Sequence, residues 1–179
     1  MAPTVDIVQD VNNLSINKDK KKIAGRCDIE LGDVTQHNVL QLKRLNQNLF
    51  PVSYNDKFYS EILNAGQLAK FAYFNDVIVG AVCCRYDTHE GRKSLYIMTL
   101  GTLAPYRQLG IGTLLLKHVL DIGESDSSIH NLFLHVQVNN ETALAFYKRY
   151  GFELVGVAEK YYKRINPDNA YILVKKMRN

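Results

Sequence analysis

The apolar positions of this chain change period several times, and each change marks an element. Residues 28–31 read as a short strand. Val39, Leu42, Leu45 and Leu49 then recur at helical spacing, which predicts a helix opened by Thr35 as its N-cap. The run Phe50-Pro51-Val52-Ser53-Tyr54-Asn55-Asp56 breaks it, because a proline cannot continue a helix and turns the residue before it away from helical dihedrals. A second helix spans about 57–65 and stops at Gly66. Residues 68–74 and 77–86 are strand-like, with Asn75-Asp76 as a hairpin turn between them, and a polar loop at 88–92 leads to another strand over 95–103.

Ile111, Leu114, Leu115, Val119 and Ile122 place a helix over 110–122, followed by a strand at 132–138. Ala143, Phe146, Tyr147 and Tyr150 form one face of a further helix ending at Gly151, and strands at 152–158 and 170–174 close the chain. A strand–helix–strand run needs a crossover connection, so its two strands are parallel neighbours within a mixed sheet. The fold class expected is therefore mixed α/β.

Composition narrows the picture only a little. A chain of 179 residues, 46% hydrophobic and 22% charged, suits one ordinary domain with a full core. Its net charge of +4 matters by location. Residues 1–26 hold Lys18, Lys20, Lys21, Lys22 and Arg26 against Asp6, Asp10 and Asp19, which is half the excess, and their apolar residues keep no period. They are expected to form a flexible basic arm, with one domain over 27–179. The rest is nearly balanced, which argues against a body-wide nucleic-acid surface. Cys27, Cys83 and Cys84 are too few and too badly spaced for a disulfide framework or a metal site, and suit reduced thiols. No apolar stretch is long enough to span a membrane. A soluble, intracellular protein is expected.

The segment richest in chemistry is Arg107-Gln108-Leu109-Gly110-Ile111-Gly112, between a strand and a helix. Helix-start amides have no internal partner, glycines let a ligand approach the backbone, and Arg107 adds a full charge, so a diphosphate is the natural occupant. The segment lacks the Gly-Lys-Ser/Thr of a P-loop and the three spaced glycines of a dinucleotide fingerprint. In the strand at 132–138, Leu132, Leu134, Val136 and Val138 alternate with Phe133, His135 and Gln137, so His135 points away from the main apolar row. Tyr96, on the neighbouring parallel strand, is in a position to meet it.

Arg-x-x-Gly-x-Gly after a strand, Asn139-Asn140-Glu141 opening a helix, and that helix closing on Tyr150-Gly151-Phe152-Glu153 resemble the GCN5-related N-acetyltransferase superfamily. Within it, Phe50 to Asp56, Tyr96-Ile97-Met98-Thr99-Leu100-Gly101, Leu134-His135-Val136-Gln137 and Tyr161-Tyr162-Lys163-Arg164-Ile165 are similar to the NatE, or separation-anxiety, type of N-terminal acetyltransferase. The similarity covers residue 28 to the end. It implies a mostly antiparallel sheet with one splayed parallel pair flanked by helices, and direct transfer of acetyl from acetyl-CoA to the α-amine of peptides starting with Met and a hydrophobic residue.

By this resemblance, Tyr96 and His135 act as base through an ordered water, and Tyr147 donates to the leaving thiolate. Met98, Leu100, Arg107, Gln108, Leu109, Gly110, Ile111, Gly112, Thr113, Asn140 and Tyr147 contact acetyl-CoA, and no metal is involved. Phe50, Pro51, Val52, Tyr54, Tyr161, Tyr162 and Ile165, with Tyr96, Met98 and His135, line the substrate cleft. Gln108 departs from the type, which commonly carries a second arginine there. Expected partners are nascent or mature protein N-termini, with the NatA catalytic and ribosome-anchoring auxiliary subunits as further partners, and neither nucleic acid nor membrane. The expected location is the cytoplasm, with the nucleus as a second compartment.

The chemistry agrees with an N-terminal substrate. An α-amine, with an ordinary pKa near ~8, loses its proton far more readily than a lysine near ~10.4. Acetylation of internal lysines or small amines, and a mainly non-catalytic ribosome-side subunit, remain the competing readings.

Overall fold

The computed structural model describes residues 27–178, so the arm expected over 1–26 lies outside the described residues. Seven strands form one sheet, β1 (Ile29–Asp33), β2 (Ala69–Phe74), β3 (Val77–His89), β4 (Arg92–Thr102), β5 (Asn131–Gln137), β6 (Glu153–Ala158) and β7 (Ala170–Lys176), in the order β1-β2-β3-β4-β5-β7-β6. Every neighbouring pair is antiparallel except β4 and β5. The helices are α1 (Val39–Leu49), α2 (Asp56–Leu63), α3 (Ile111–Ser125) and α4 (Glu141–Arg149). The mixed α/β fold with one parallel pair is as expected.

Both faces of the sheet are covered, so the protein has two apolar layers. Leu42, Leu45 and Leu49 of α1 and Phe58, Tyr59 and Ile62 of α2 pack with Phe71, Ala81, Tyr96, Met98 and Phe133. On the other face Ile111, Leu115, Leu116 and Val119 of α3 and Phe146 of α4 pack with Val82, Leu95, Ile97, Leu132, Leu134 and Val136. The period-two alternation of β5 sorts its side chains between the layers, Leu132, Leu134 and Val136 to one and Phe133 to the other.

Two local expectations are corrected. Thr35 does not cap α1. The capping position is Asn38, whose side chain instead accepts from the Thr35 amide at 2.7 Å and donates to the Asp33 carbonyl at 2.9 Å, bracing the turn before the helix. The polar loop at 88–92 is also absent, because β3 runs on to His89 and β4 begins at Arg92, joined by a two-residue turn. Glu90 (φ 50°) and Gly91 (φ 74°) both lie in the left-handed region, as does the Asn75-Asp76 pair (φ 46° and 66°) of the preceding hairpin. Asn and Asp tolerate that geometry and advertise the turn, whereas Glu does not.

The feature that shapes the site is where β4 and β5 part. They pair only at Ser94–Asn131, Leu95–Leu132 and Tyr96–Phe133. Just beyond, β4 carries a bulge in which Thr99 and Ile97 pair with adjacent residues Cys83 and Cys84, leaving Met98 as the extra residue. The strands diverge from there, and the opening lies toward the C-terminal ends of the parallel pair, where ligands bind in such sheets.

Candidate active site

Tyr96 stands on the last paired rung before the opening. Its hydroxyl lies 2.8 Å from the Tyr161 hydroxyl and 3.2 Å from His135 Nδ1, so three polar groups from β4, β5 and the β6–β7 connection form a chain. Aromatic packing fixes each of them. Tyr96 stacks on Phe133 at 4.8 Å, and His135 stacks on Tyr161 with ring centroids 4.4 Å apart and planes 11° from parallel. The expectation that Tyr96 and His135 could meet across parallel strands is met by this geometry.

Burial sets the protonation of the chain. It pushes the Tyr96 hydroxyl well above the ordinary phenol range, with the neighbouring Tyr161 adding to the rise and Arg85 opposing it. Tyr161 is also raised, mainly by burial. His135 moves the other way, down to about 4, first through burial and then through the charge of His89. At neutral pH the chain is two intact phenols and one neutral imidazole, which can accept a proton without first losing one.

The substrate-side residues converge around this chain. Phe50 is buried, while Val52, Tyr54, Tyr161 and Ile165 pack against the same apolar layer at its margin. Tyr54 stacks on Phe58 at 4.6 Å and meets Phe50 edge-on at 6.0 Å, and burial raises its hydroxyl far above the phenol range. Asn55 accepts from the Phe58 amide at 3.0 Å and so starts α2 immediately after the loop that Pro51 creates. Tyr162 is buried with its hydroxyl lacking a protein partner, and burial raises its pKa. An unpaired buried hydroxyl in an apolar groove is an unmet demand that a peptide carbonyl or amide can satisfy.

Two pockets flank the chain. One, lined by Tyr54, Phe58, Arg85 and Met98 among others, has a volume of about 320 Å³. The other, about 480 Å³, lies between Pro51-Val52-Ser53 and the run Tyr161 to Arg164. Sequence reading missed Arg85, whose guanidinium lies 5.2 Å from the Tyr96 ring centroid and pairs with Asp87 at 2.8 Å. It also missed Phe133 as the support under Tyr96, and His89, which stacks on Phe133 at 5.0 Å. The signal was available, since Arg85 pairs with Tyr96 and His89 with Arg92 in the β3–β4 register, but it required the turn at Glu90-Gly91.

The anion site is equally local in origin. Gly110 (φ 84°) precedes α3 with open space where a Cβ would stand, and no side chain caps the helix. The first bond within the helix is from the Leu114 amide to the Gly110 carbonyl at 3.0 Å, so the amides of Ile111, Gly112 and Thr113 precede it. A small hollow is bounded by Thr102, Tyr106, Arg107, Gln108, Gly110, Ile111 and Gly112. Uncapped amides and an adjacent cation suit a diphosphate. Leu109 is exposed beside it, whereas the side chains of Leu100 and Ile111 are buried in the core, leaving their backbones to face a ligand. Thr113 Oγ1 accepts from the Tyr150 hydroxyl at 2.8 Å, tying α3 to the end of α4.

Asn140 caps α4 by accepting from the Ala143 amide at 3.0 Å at the C-terminal end of β5. Tyr147, one turn and a half into α4, is buried between Phe146 and Phe152. Cys83 and Cys84 are buried, and burial pushes the Cys83 thiol up to about 12, so neither is a nucleophile at neutral pH. Among the described residues no group of three or more His, Cys, Asp or Glu is arranged to hold a metal, and no helix is long and apolar enough to cross a membrane.

A splayed parallel pair, an uncapped helix start for a diphosphate and an aromatic cleft with a neutral histidine define an acyl-transfer site, and the chain belongs to the acetyltransferase (GNAT) family, whose pattern matches residues 39–152. Among individual proteins, it is 61% identical over 151 residues to N-alpha-acetyltransferase 50 of Danio rerio, taking in 84% of this chain and 90% of that one. It is 58% identical over 153 residues to the Drosophila melanogaster protein named Probable N-acetyltransferase san, covering 86% and 83%. The fold matches Naa50 of Arabidopsis thaliana, solved in complex with the bisubstrate analogue CoA-Ac-MVNAL, with a TM-score of 0.77 and 48% identity over 82% of this chain and 97% of that one.

Proposed function

We propose that the protein is an N-terminal acetyltransferase that transfers acetyl from acetyl-CoA directly to the α-amine of peptides beginning with Met and a hydrophobic residue. The observation that carries this reading is the Tyr161–Tyr96–His135 chain, set where β4 and β5 part and walled by apolar and phenolic side chains. It is supported by the similarity to N-alpha-acetyltransferase 50 and to a protein solved with a CoA-linked peptide that starts with Met.

Arg107 and the amides at 111–113 would hold the diphosphate, the backbone at Met98 and Leu100 the extended arm, and Asn140 a polar group of that arm. Gln108 and Leu109 would border it. Bound there, acetyl-CoA supplies the acetyl thioester. The apolar cleft of Phe50, Pro51, Val52, Tyr162 and Ile165 takes the methionine side chain, and the hydroxyls of Tyr54, Tyr161 and Tyr162 bind the peptide backbone.

Taking an ammonium into such a cleft lowers its pKa, so the amine sheds its proton to solvent on entry more readily than in water. The proton that must leave during bond formation sits on a nitrogen that has become strongly acidic, and a weakly basic acceptor suffices. Neutral His135 is that acceptor, reached through a water held by the Tyr96 and Tyr161 hydroxyls. Tyr147 holds the proton for the departing sulfur.

Acetylation of a Met-Leu-starting peptide, set against the same peptide blocked at its N-terminus and carrying a lysine, tests the reaction. Turnover of the first only is expected, and equal turnover of both would make the protein a lysine acetyltransferase. We further propose association with NatA catalytic and ribosome-anchoring subunits and a cytoplasmic location with a nuclear fraction, as the resemblance of the sequence to the separation-anxiety type implies. Co-purification and cell fractionation test these, and recovery of the protein alone, outside both compartments, would remove them.

A further inference from the structure

Lys163 and Arg164 line the mouth of the groove whose walls are Pro51, Val52, Tyr161 and Tyr162. Exposed cations on a loop ordinarily do no more than keep it solvated. These two differ in three ways. No Asp or Glu lines the groove, and the acidic residues of the same connection, Glu159 and Asp168, stand outside it. Neither cation is in an ion pair among the described residues, although five other Lys and Arg side chains are. And they lie two and three residues after Tyr161, whose hydroxyl touches the reacting end of the cleft.

An extended substrate advances about 3.3 Å per residue, so its third and fourth residues lie roughly 7–10 Å from its amino end, along the groove that Lys163 and Arg164 line together with Tyr161. We propose that Lys163 and Arg164 form a subsite for a carboxylate side chain at the third or fourth residue of the substrate, so that among Met-hydrophobic N-termini the enzyme favours those followed by Asp or Glu. The proposal rests on the N-terminal acetyltransferase reading above. It separates two zones of opposite chemistry, an apolar cleft that admits the first two side chains and a cationic mouth that selects the next two.

The test uses three peptides that begin Met-Leu-Gly and carry Glu, Gln or Arg at the fourth residue, with acetyl-CoA and the full-length protein. The arginine peptide replaces a lysine one so that no second acceptor amine is present. Exposed ion pairs are modest, so the expected kcat/KM for Glu exceeds that for Gln about two- to fivefold per charge engaged, with Arg lowest. The advantage resides in KM and shrinks as salt is raised from about 50 to about 500 mM, because exposed pairs are screened. In the Lys163→Gln/Arg164→Gln protein the Glu-to-Gln ratio falls to one.

Equal kcat/KM for the three peptides at low salt overturns the subsite and leaves the N-terminal reading intact. A Glu advantage that survives in the double variant, or that ignores salt, overturns it as well. Failure to acetylate any of the three refutes the reading on which the subsite rests. The salt comparison is made on the unaltered protein, so it stands however the variant folds.

Discussion

Replacing Tyr96 by Phe removes one oxygen atom and leaves the ring with its stack on Phe133 at 4.8 Å and Arg85 over its face. What disappears is the middle link of the polar chain, with one hydrogen bond of 2.8 Å to Tyr161 and one of 3.2 Å to His135. Each neutral bond contributes about 1 kcal/mol net, and a buried partner left unsatisfied costs about 1–3 kcal/mol. Tyr161 and His135 are only partly buried and can turn to water, so the expected loss is about 1–2 kcal/mol, or a fall in Tm of roughly 2–8 °C. The effect on turnover is larger. General acid–base assistance is worth about 10²–10⁴, and Tyr96 holds the water rather than taking its proton, so kcat should fall about 10- to 100-fold. KM for acetyl-CoA should stay within about twofold, because the diphosphate site is on another loop. Steady-state rates at saturating Met-Leu peptide, with a thermal melt of the same preparation, decide the matter. A Tyr96→Phe protein that melts normally and keeps kcat within about twofold refutes the relay, and full turnover by His135→Ala would remove His135 as acceptor. The double variant should lose little more than the worse single one, since residues that act as a unit are not additive.

Other outcomes follow from the same structure. With His135 depressed to about 4, log kcat/KM should climb with a slope of one up to the substrate amine's pKa near ~8, and a second break near ~6.5 would show that the histidine titrates normally. A depressed histidine also refuses in the folded state a proton that the unfolded chain binds. Its contribution to stability is therefore whole above about 6.5 and is lost as pH falls toward 4, a slope that His135→Phe should abolish in pH-dependent melts. Arg107→Ala should raise KM for acetyl-CoA about tenfold with kcat nearly unchanged, and an unaltered KM would mean that the helix amides alone hold the diphosphate. Gly80→Ala drives a Cβ to 2.7 Å from the Gly101 carbonyl oxygen, so denaturant unfolding should show a loss of about 1–3 kcal/mol, and an unchanged midpoint would contradict the close β3–β4 approach.

Much of this arrangement can be read from residue order, and the exceptions have physical causes. Alternation in β5 was enough to aim His135 away from the apolar row, and the crossover rule was enough to seat Tyr96 beside it. Tyr161 was legible as an aromatic on a late loop, but its bond to Tyr96 arises from tertiary folding between β6 and β7 that no local period encodes. Arg85 and His89 went unseen for a sharper reason. Their placement follows from the hairpin register, and the register follows from a turn at Glu90-Gly91 whose first residue is a poor occupant of left-handed backbone. Reading residues 88–92 as a loose loop discarded three ladder residues, Thr88, His89 and Arg92, that fix which β3 side chains share a face with Tyr96. Asn38 displaced Thr35 because both suit a helix start, and the choice is made by bonds to Asp33 and Thr35 rather than by residue type.

The three rungs joining β4 to β5 also have a mechanical consequence. On one side β3 is paired with β4 from Gly80 to His89, against Thr102 to Arg92, and on the other β5 is paired with β7 over all seven of its residues, from Asn131 to Gln137. The sheet is thus two stiff leaves bound along a short spine at Ser94–Tyr96 and Asn131–Phe133. Tyr96 sits at the last stitch of that spine, where opening the leaves displaces it least. The width of the cleft can follow its occupant while the hydroxyl at its apex stays in place. A donor whose arm bridges the leaves would act as a third strand between them, slowing amide exchange at 97–102 without altering it at 94–96.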